Sequence, residues 1–212
     1  MVRLLSIGID TVSAIIVLLP AILILRYTVF KQYSFKKVIL VFVYSVYLSA
    51  VFSAVGIPTI NGLIVDLEFN FVPLIDIINS PVSYLKNTIL NILLFVPLGF
   101  LLPTVWNEYR STQKTLFTGL GISLIIEILQ MFTFRLTDVD DLITNTVGTI
   151  LGYYLYSRFS EMLHLKLPES NNKYEPFIIF VIILLIMFSI QPLIYGVMWE
   201  YILSTQMWES IR

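Results

Sequence analysis

The sequence predicts an all-α, multi-pass transmembrane helix bundle of about six spans, with both termini on the outer side. Three observations predict it. Of 212 residues, 58% are hydrophobic and only 13% charged, about half the charge fraction of a soluble domain. Several apolar runs reach the roughly 20 residues that cross a bilayer. Lysine and arginine gather on alternate connections, as membrane topology requires.

The first helix runs from about Ser6 to Phe30. Its flank carries one positive charge, Arg3, and no Ala-x-Ala site, so it reads as a retained helix and not as a cleaved signal. The second spans Val38–Ile57, the third Asn87–Trp106, the fourth Thr115–Phe134, the fifth Asp140–Phe159 and the sixth Tyr174–Tyr201. Three parts follow: residues 1–37, a first helix and basic loop; residues 38–161, a four-helix membrane core; and residues 162–212, a loop and last helix. The segment from Pro58 to Lys86 is half apolar but broken by Pro58, Pro73 and Pro81. It is too interrupted to span, and is expected at the interface or folded back onto the outer face.

Arg26, Lys31, Lys36 and Lys37 lie on the first connection, Arg110 and Lys114 on the third, and Arg158, Lys166 and Lys173 on the fifth. Those connections are expected in the cytoplasm. A bacterial plasma membrane fits.

Several chemistries are excluded or disfavoured. A net charge of −1 gives no reason to expect nucleic acid. With no cysteine there is no disulfide, thiolate site or cysteine nucleophile, and the single histidine, His164, sits in a polar loop. No cofactor or metal is expected, and no nucleophile or metal-ligand constellation marks an enzyme.

What remains is a set of polar residues inside apolar helices. Asn87 and Asn91 are spaced i, i+4 on the third helix. Glu127 lies seven residues before Phe134, roughly 10 Å from that helix end, and Gln130 lies one turn further out. Asp141 and Asn145 are spaced i, i+4 on the fifth helix. All fall at a similar depth in the outer half of the membrane. An intramembrane carboxylate faces the bundle interior and finds partners, here Arg135 and the asparagines. Asp138 and Asp140, in "TDVDD", suit the start of a helix as cap and dipole-complementing acids.

Asp141, Asn145, Gly148 and Gly152 share one broad face of the fifth helix, and Gly119, Ser123, Glu127 and Gln130 one face of the fourth. The expectation is that the small faces pack together, with Gly148 and Gly152 admitting a close neighbour, and that a polar pocket opens above them. Pro97 frees one carbonyl of the third helix and, with Gly99, is expected to bend it. Tyr33, Trp106, Tyr153, Tyr154, Trp199 and Trp208 are expected in an interfacial aromatic belt.

The stretches "FNFVPL" (69–74), "NTILNILLFVPLGFLLP" (87–103) and "EILQMFTFRLTDVDDLITNTVGTILGY" (127–153) resemble, in order and spacing, the VanZ-like family of teicoplanin-resistance proteins. The resemblance covers about the middle half of the chain. The family's pattern residues carry over onto Asn91, Pro97, Gly99, Glu127, Gln130, Arg135, Asp138, Asp141, Asn145 and Gly148. It implies a multi-pass bacterial membrane protein linked to lowered susceptibility to teicoplanin, a lipid-tailed glycopeptide that acts on cell-wall precursors outside the membrane. It implies a phenotype and not a reaction.

The leading expectation is an outward polar pocket for an amphiphile, either a lipid-linked cell-wall precursor or a lipoglycopeptide, with membrane lipids around it. Asn87, Asn91, Glu127, Gln130, Arg135, Asp138, Asp141 and Asn145 are its candidate contacts. A rival is a membrane enzyme with Glu127 and Asp141 as acid and base. Another is a carrier, against which stand the lack of an internal repeat and a weakly polar inner half.

Overall fold

The computed structural model describes residues 2–28, 33–65, 69–70, 74, 77, 80–133, 137–163 and 174–204. Among them the helices are α1 (Val2–Thr28), α2 (Phe35–Val55), α3 (Pro81–Val105), α4 (Thr112–Gln130), α5 (Val139–Leu163), α6 (Glu175–Ser189) and α7 (Gln191–Ser204). A 3-10 turn, Asn107–Tyr109, follows α3. The described extended pairing is two residues long: β1 (Phe69–Asn70) lies parallel to β2 (Thr137–Asp138).

Local chemistry sets the helix ends. Ser34 caps α2 by accepting from the Lys37 N–H, and Gly56 ends it in the left-handed region with φ 72°. α3 starts at Pro81 and not at Asn87, because proline suits a first turn whose N–H has no intrahelical partner. It then runs unbroken through Pro97 and Pro103. Near the first of these the Tyr47 hydroxyl of α2 donates to the Leu94 carbonyl at 2.8 Å.

The last expected helix is two. α6 and α7 meet at a bend of 46°. Pro192 has no N–H for the carbonyl four residues back, that of Phe188, which accepts instead from the Ile60 N–H at 2.9 Å. Residues 58–65 are thereby stitched onto the bundle. Ile64 N–H adds a bond to the Phe132 carbonyl at 3.1 Å, and β1 adds its pairing with β2.

Among the described residues three helical segments are long and apolar enough to cross a membrane: Leu5–Tyr27, Phe35–Val55 and Pro81–Val105. The bent α6–α7 pair makes a fourth if counted as one span. α4 and α5 are helices where expected, but the polar residues between Lys114 and Asn145 keep them below that threshold. Large apolar side chains such as Leu19, Ile24, Leu93, Leu185 and Val197 are exposed on the outside of the bundle, as a lipid-facing surface requires.

The interior joins Tyr44, Leu48 and Phe52 of α2 to Phe95, Leu98 and Leu102 of α3, Ile126 of α4 and Phe180 and Ile183 of α6. Trp106 belongs here and not to an interfacial belt: it is 2% exposed and stands edge-on to Tyr44 with ring centroids 4.9 Å apart. Tyr33 is likewise buried, whereas Tyr154 is exposed; Trp208 lies outside the described residues.

The glycine seam differs from expectation in its partner. A methyl group at Gly148 would strike the Ile92 carbonyl of α3, and one at Gly152 the Val96 carbonyl. One at Gly99 would strike the Thr149 carbonyl of α5. The glycines of α5 therefore face α3, while Gly119 of α4 takes Thr149 of α5. At about 100° per residue, Gly148 and Gly152 lie about 20° to either side of Asp141, while Asn145 and Thr149 turn roughly 40° and 80° from it. That second edge meets α4, where Thr149 packs on Gly119 and Asn145 bonds Ser123.

Candidate functional site

The polar residues meet at one end of the bundle, where α2 and α4 finish and α3 and α5 start. Asp141 of α5 accepts from the Asn91 side-chain amide of α3 at 2.6 Å. The Asn145 amide donates to Ser123 of α4 at 2.9 Å. The Gln130 amide donates to the Val55 carbonyl at the end of α2 at 3.0 Å. Each bond ties together two helices, and each is buried or half-buried.

Glu127 is 4% exposed. Its carboxylate accepts from the Asp138 N–H at 3.1 Å, across the turn that joins α4 to α5. Asp138 in turn accepts from the Asp140 N–H at 2.9 Å, the cap expected of an aspartate just before a helix. Asp140 does more than complement the helix dipole. It is buried, and its carboxylate accepts from the Leu74 N–H at 2.9 Å. Leu74 holds φ 65°, a conformation uncommon for a branched side chain. This bond helps fasten that strained residue of the irregular segment to the start of α5.

A cavity of about 140 Å³ opens beside this network. Its wall is Ser80, Ser83, Tyr84, Asn87 and Thr88 from the start of α3, with Asp138, Asp140, Asp141 and Thr144 from the start of α5. Of the predicted contacts, Asn87, Asp138 and Asp141 line it. Asn91 holds Asp141 in place from below. Glu127, Gln130 and Asn145 are brought into the same network but lie behind the wall, and α4 contributes nothing to it. Arg135 lies outside the described residues. Pro97, Gly99, Gly148 and Gly152 stand deeper, in the α3–α5 seam and its continuation.

Sequence reasoning missed Ser80, Ser83, Tyr84, Thr88 and Thr144, and assigned Asp140 to capping alone. The signal existed: Ser80, Ser83, Asn87 and Asn91 recur at helical spacing. It was hidden because α3 was expected to start only at Asn87.

The wall's chemistry is one-sided. Three aspartates, an asparagine and five hydroxyl groups face it, and no lysine or arginine among the described residues does. Such a wall accepts hydrogen bonds and draws positive charge. Among the described residues no three acidic or histidine side chains stand where they could share a metal ion.

Glu127 therefore acts here through Asp138. Glu127→Leu leaves the Asp138 N–H without this acceptor and should destabilise the protein by about 1–3 kcal/mol. Glu127→Gln keeps an oxygen in place and should cost under about 1 kcal/mol. Thermal unfolding of both variants in detergent checks this. Equal losses would show that the charge, and not the acceptor, is what matters.

The order of these parts along the chain is that of a known family. A family model described as VanZ/LLP1 matches residues 38–160. The chain belongs to the VanZ/LLP1 family. The match takes in α2 to α5 and therefore every residue of the cavity wall. Protein VanZ of Enterococcus faecium is 39% identical over 97 residues, which is 45% of this chain and 56% of that protein. The similarity thus spans little more than half the length of that relative. No solved structure matches the chain. With its apolar helices, this VanZ-like chain is a membrane protein.

Proposed function

We propose that this VanZ-like protein lies in a bacterial plasma membrane with the polar end of the bundle outside, and that the cavity between α3 and α5 engages the headgroup of an amphiphile. The alternation of basic connections supports the orientation. α4 and α5 complete the count of spans, shielded from lipid in part by their neighbours. The observation that carries the reading is the cavity itself, whose acceptor-rich wall is built from two helices and held by the Asn91–Asp141 bond.

The wall's chemistry narrows the ligand. Hydroxyl and ammonium groups, which donate hydrogen bonds, suit a wall so rich in acceptors. A sugar- or amine-bearing headgroup on a lipid anchor fits best. A lipid-linked cell-wall precursor and a lipoglycopeptide both carry such groups. Lowered susceptibility to teicoplanin would follow if the protein held either one away from its target. This extends to the present chain what the name of its relative suggests.

The test is drug susceptibility of cells expressing the protein. Asp141→Asn and Asn87→Ala, at wild-type expression, should each abolish teicoplanin protection, since both alter the wall without touching the glycine seam. Full protection by both variants would overturn the reading. Mass spectrometry of envelope lipids with and without the protein separates binding from modification: a changed profile would favour the enzyme, with Asp141, oriented by Asn91, as the acid–base candidate.

A further inference from the structure

A second cavity, of about 170 Å³, lies beside the middle of α4 and shares no wall residue with the acceptor-rich cavity. It is lined by Ile122, Ile125 and Gly121 of α4, by Pro176, Phe177 and Phe180 of α6, and by Tyr44, Tyr109 and Thr118. Phe177 is exposed and stacks at 6.4 Å on Phe180, which is buried, so the aromatic pair runs from the mouth to the floor. A methyl group built on Gly121 meets nothing within 4 Å. The helix thus leaves space where most residues would fill it.

The floor carries a polar group in an apolar setting. Tyr44 is 0% exposed, and its hydroxyl has no hydrogen-bond partner among the described residues. Buried phenols normally find one, and hydrocarbon offers no water in its place. Trp106, edge-on to the ring, holds the hydroxyl where it is. Tyr109 is hydrogen-bonded with Thr118; burial raises its pKa above the ordinary phenol value against that bond, with Glu108 adding to the rise. It too stays protonated at neutral pH.

We propose that this cavity seats one acyl chain of a membrane lipid, whose ester carbonyl accepts the Tyr44 hydroxyl. An apolar trough open at the side of a bundle admits a methylene chain. A buried donor with nothing to donate to selects a chain that carries an acceptor. Tyr44, Tyr109 and Thr118 bring three hydroxyl groups to the wall, within the about two to four polar partners of an ordered buried water, so water is the rival occupant that the Tyr44→Phe variant separates. The site is independent of the acceptor-rich cavity and its ligand.

The experiment uses the full chain in phosphatidylcholine vesicles containing a diacyl phosphatidylcholine with a photoreactive diazirine midway along one acyl chain. Crosslinked peptides are read by mass spectrometry. Peptides covering residues 115–130 and 174–182 should be labelled in the wild type. Gly121→Leu starts from an open Cβ position, projects its side chain into the trough and should lower that labelling about tenfold, the scale of discrimination in an apolar pocket. Labelling of lipid-facing α1 should not change. Tyr44→Phe keeps the packing and should lower labelling at the same peptides, which separates a seated ester from a passing chain. Unfolding temperatures equal to wild type show that each variant is folded. Unchanged labelling in Gly121→Leu would show only annular lipid and overturn the proposal. Loss in Gly121→Leu with no change in Tyr44→Phe would overturn the carbonyl contact, leaving the phenol to water.

Discussion

Glu175→Ala should destabilise the protein by about 3–5 kcal/mol, the cost of stripping one partner from a buried ion pair. Lys37 of α2 and Glu175 of α6 lie 3.3 Å apart, and each side chain is 1% exposed. The Lys37 ammonium also stands 4.0 Å from the Tyr33 ring centroid. The lysine is thus enclosed on several sides, and cannot regain its hydration by small movements as a lysine at a helix end normally does. Removing the carboxylate leaves a charge that must be dehydrated or must open the packing around it. The double variant Lys37→Met/Glu175→Leu should recover most of the loss, because well-packed apolar residues replace buried pairs at little or no cost. Unfolding of the three proteins in one detergent gives the cycle. Equal losses in single and double variants would show that the pair matters only through its shape. The bond also joins α6 to the helices matched by the family model, so its loss tests whether the last helices belong to the same cooperative unit.

How much of this was legible in the sequence depends on which interactions repeat with a period. α1 to α5 were, because long apolar runs are a local signal, although the proline start of α3 at Pro81 went unread and the helix was placed from Asn87. The break between α6 and α7 was signalled by Pro192, but its apolar surroundings read as one run; only the Ile60 bond to the Phe188 carbonyl shows how the broken end is satisfied. Among the site residues, the juxtaposition of Asn91 with Asp141 followed from depth and face alone. The roles of Glu127 and Gln130 did not, since helical spacing says that a residue faces inward but not whether it meets a cavity or a neighbour's backbone. Trp106 was misplaced for a related reason: an aromatic at a helix end suits an interface or a core equally, and only the presence of Tyr44 across the bundle decides.

The acceptor-rich cavity depends on parts it does not contain. Its walls are the starts of α3 and α5, and the distance between those helices is set below, where glycine backbones touch. Gly152→Val should therefore destabilise the protein by about 3 kcal/mol, the upper range for overpacking a rigid contact, and should abolish function without altering any residue of the wall. A side chain at Gly152 meets the Val96 carbonyl and the Gly99 backbone, neither of which can rotate away. The helices must separate or slide. Asn91 and Asp141, bonded at 2.6 Å and reached within three turns of the seam, would then part, because a hydrogen bond weakens steeply once it lengthens past about 3.2 Å. Gly196→Ala is the control: nothing lies within 4 Å of a methyl group there, so stability should change by under about 0.5 kcal/mol. Unfolding measurements and teicoplanin susceptibility on the same variants check both halves. A stable, fully protective Gly152→Val protein would mean that the spacing of α3 and α5 is set elsewhere, and that the cavity tolerates a looser wall than its short central bond implies.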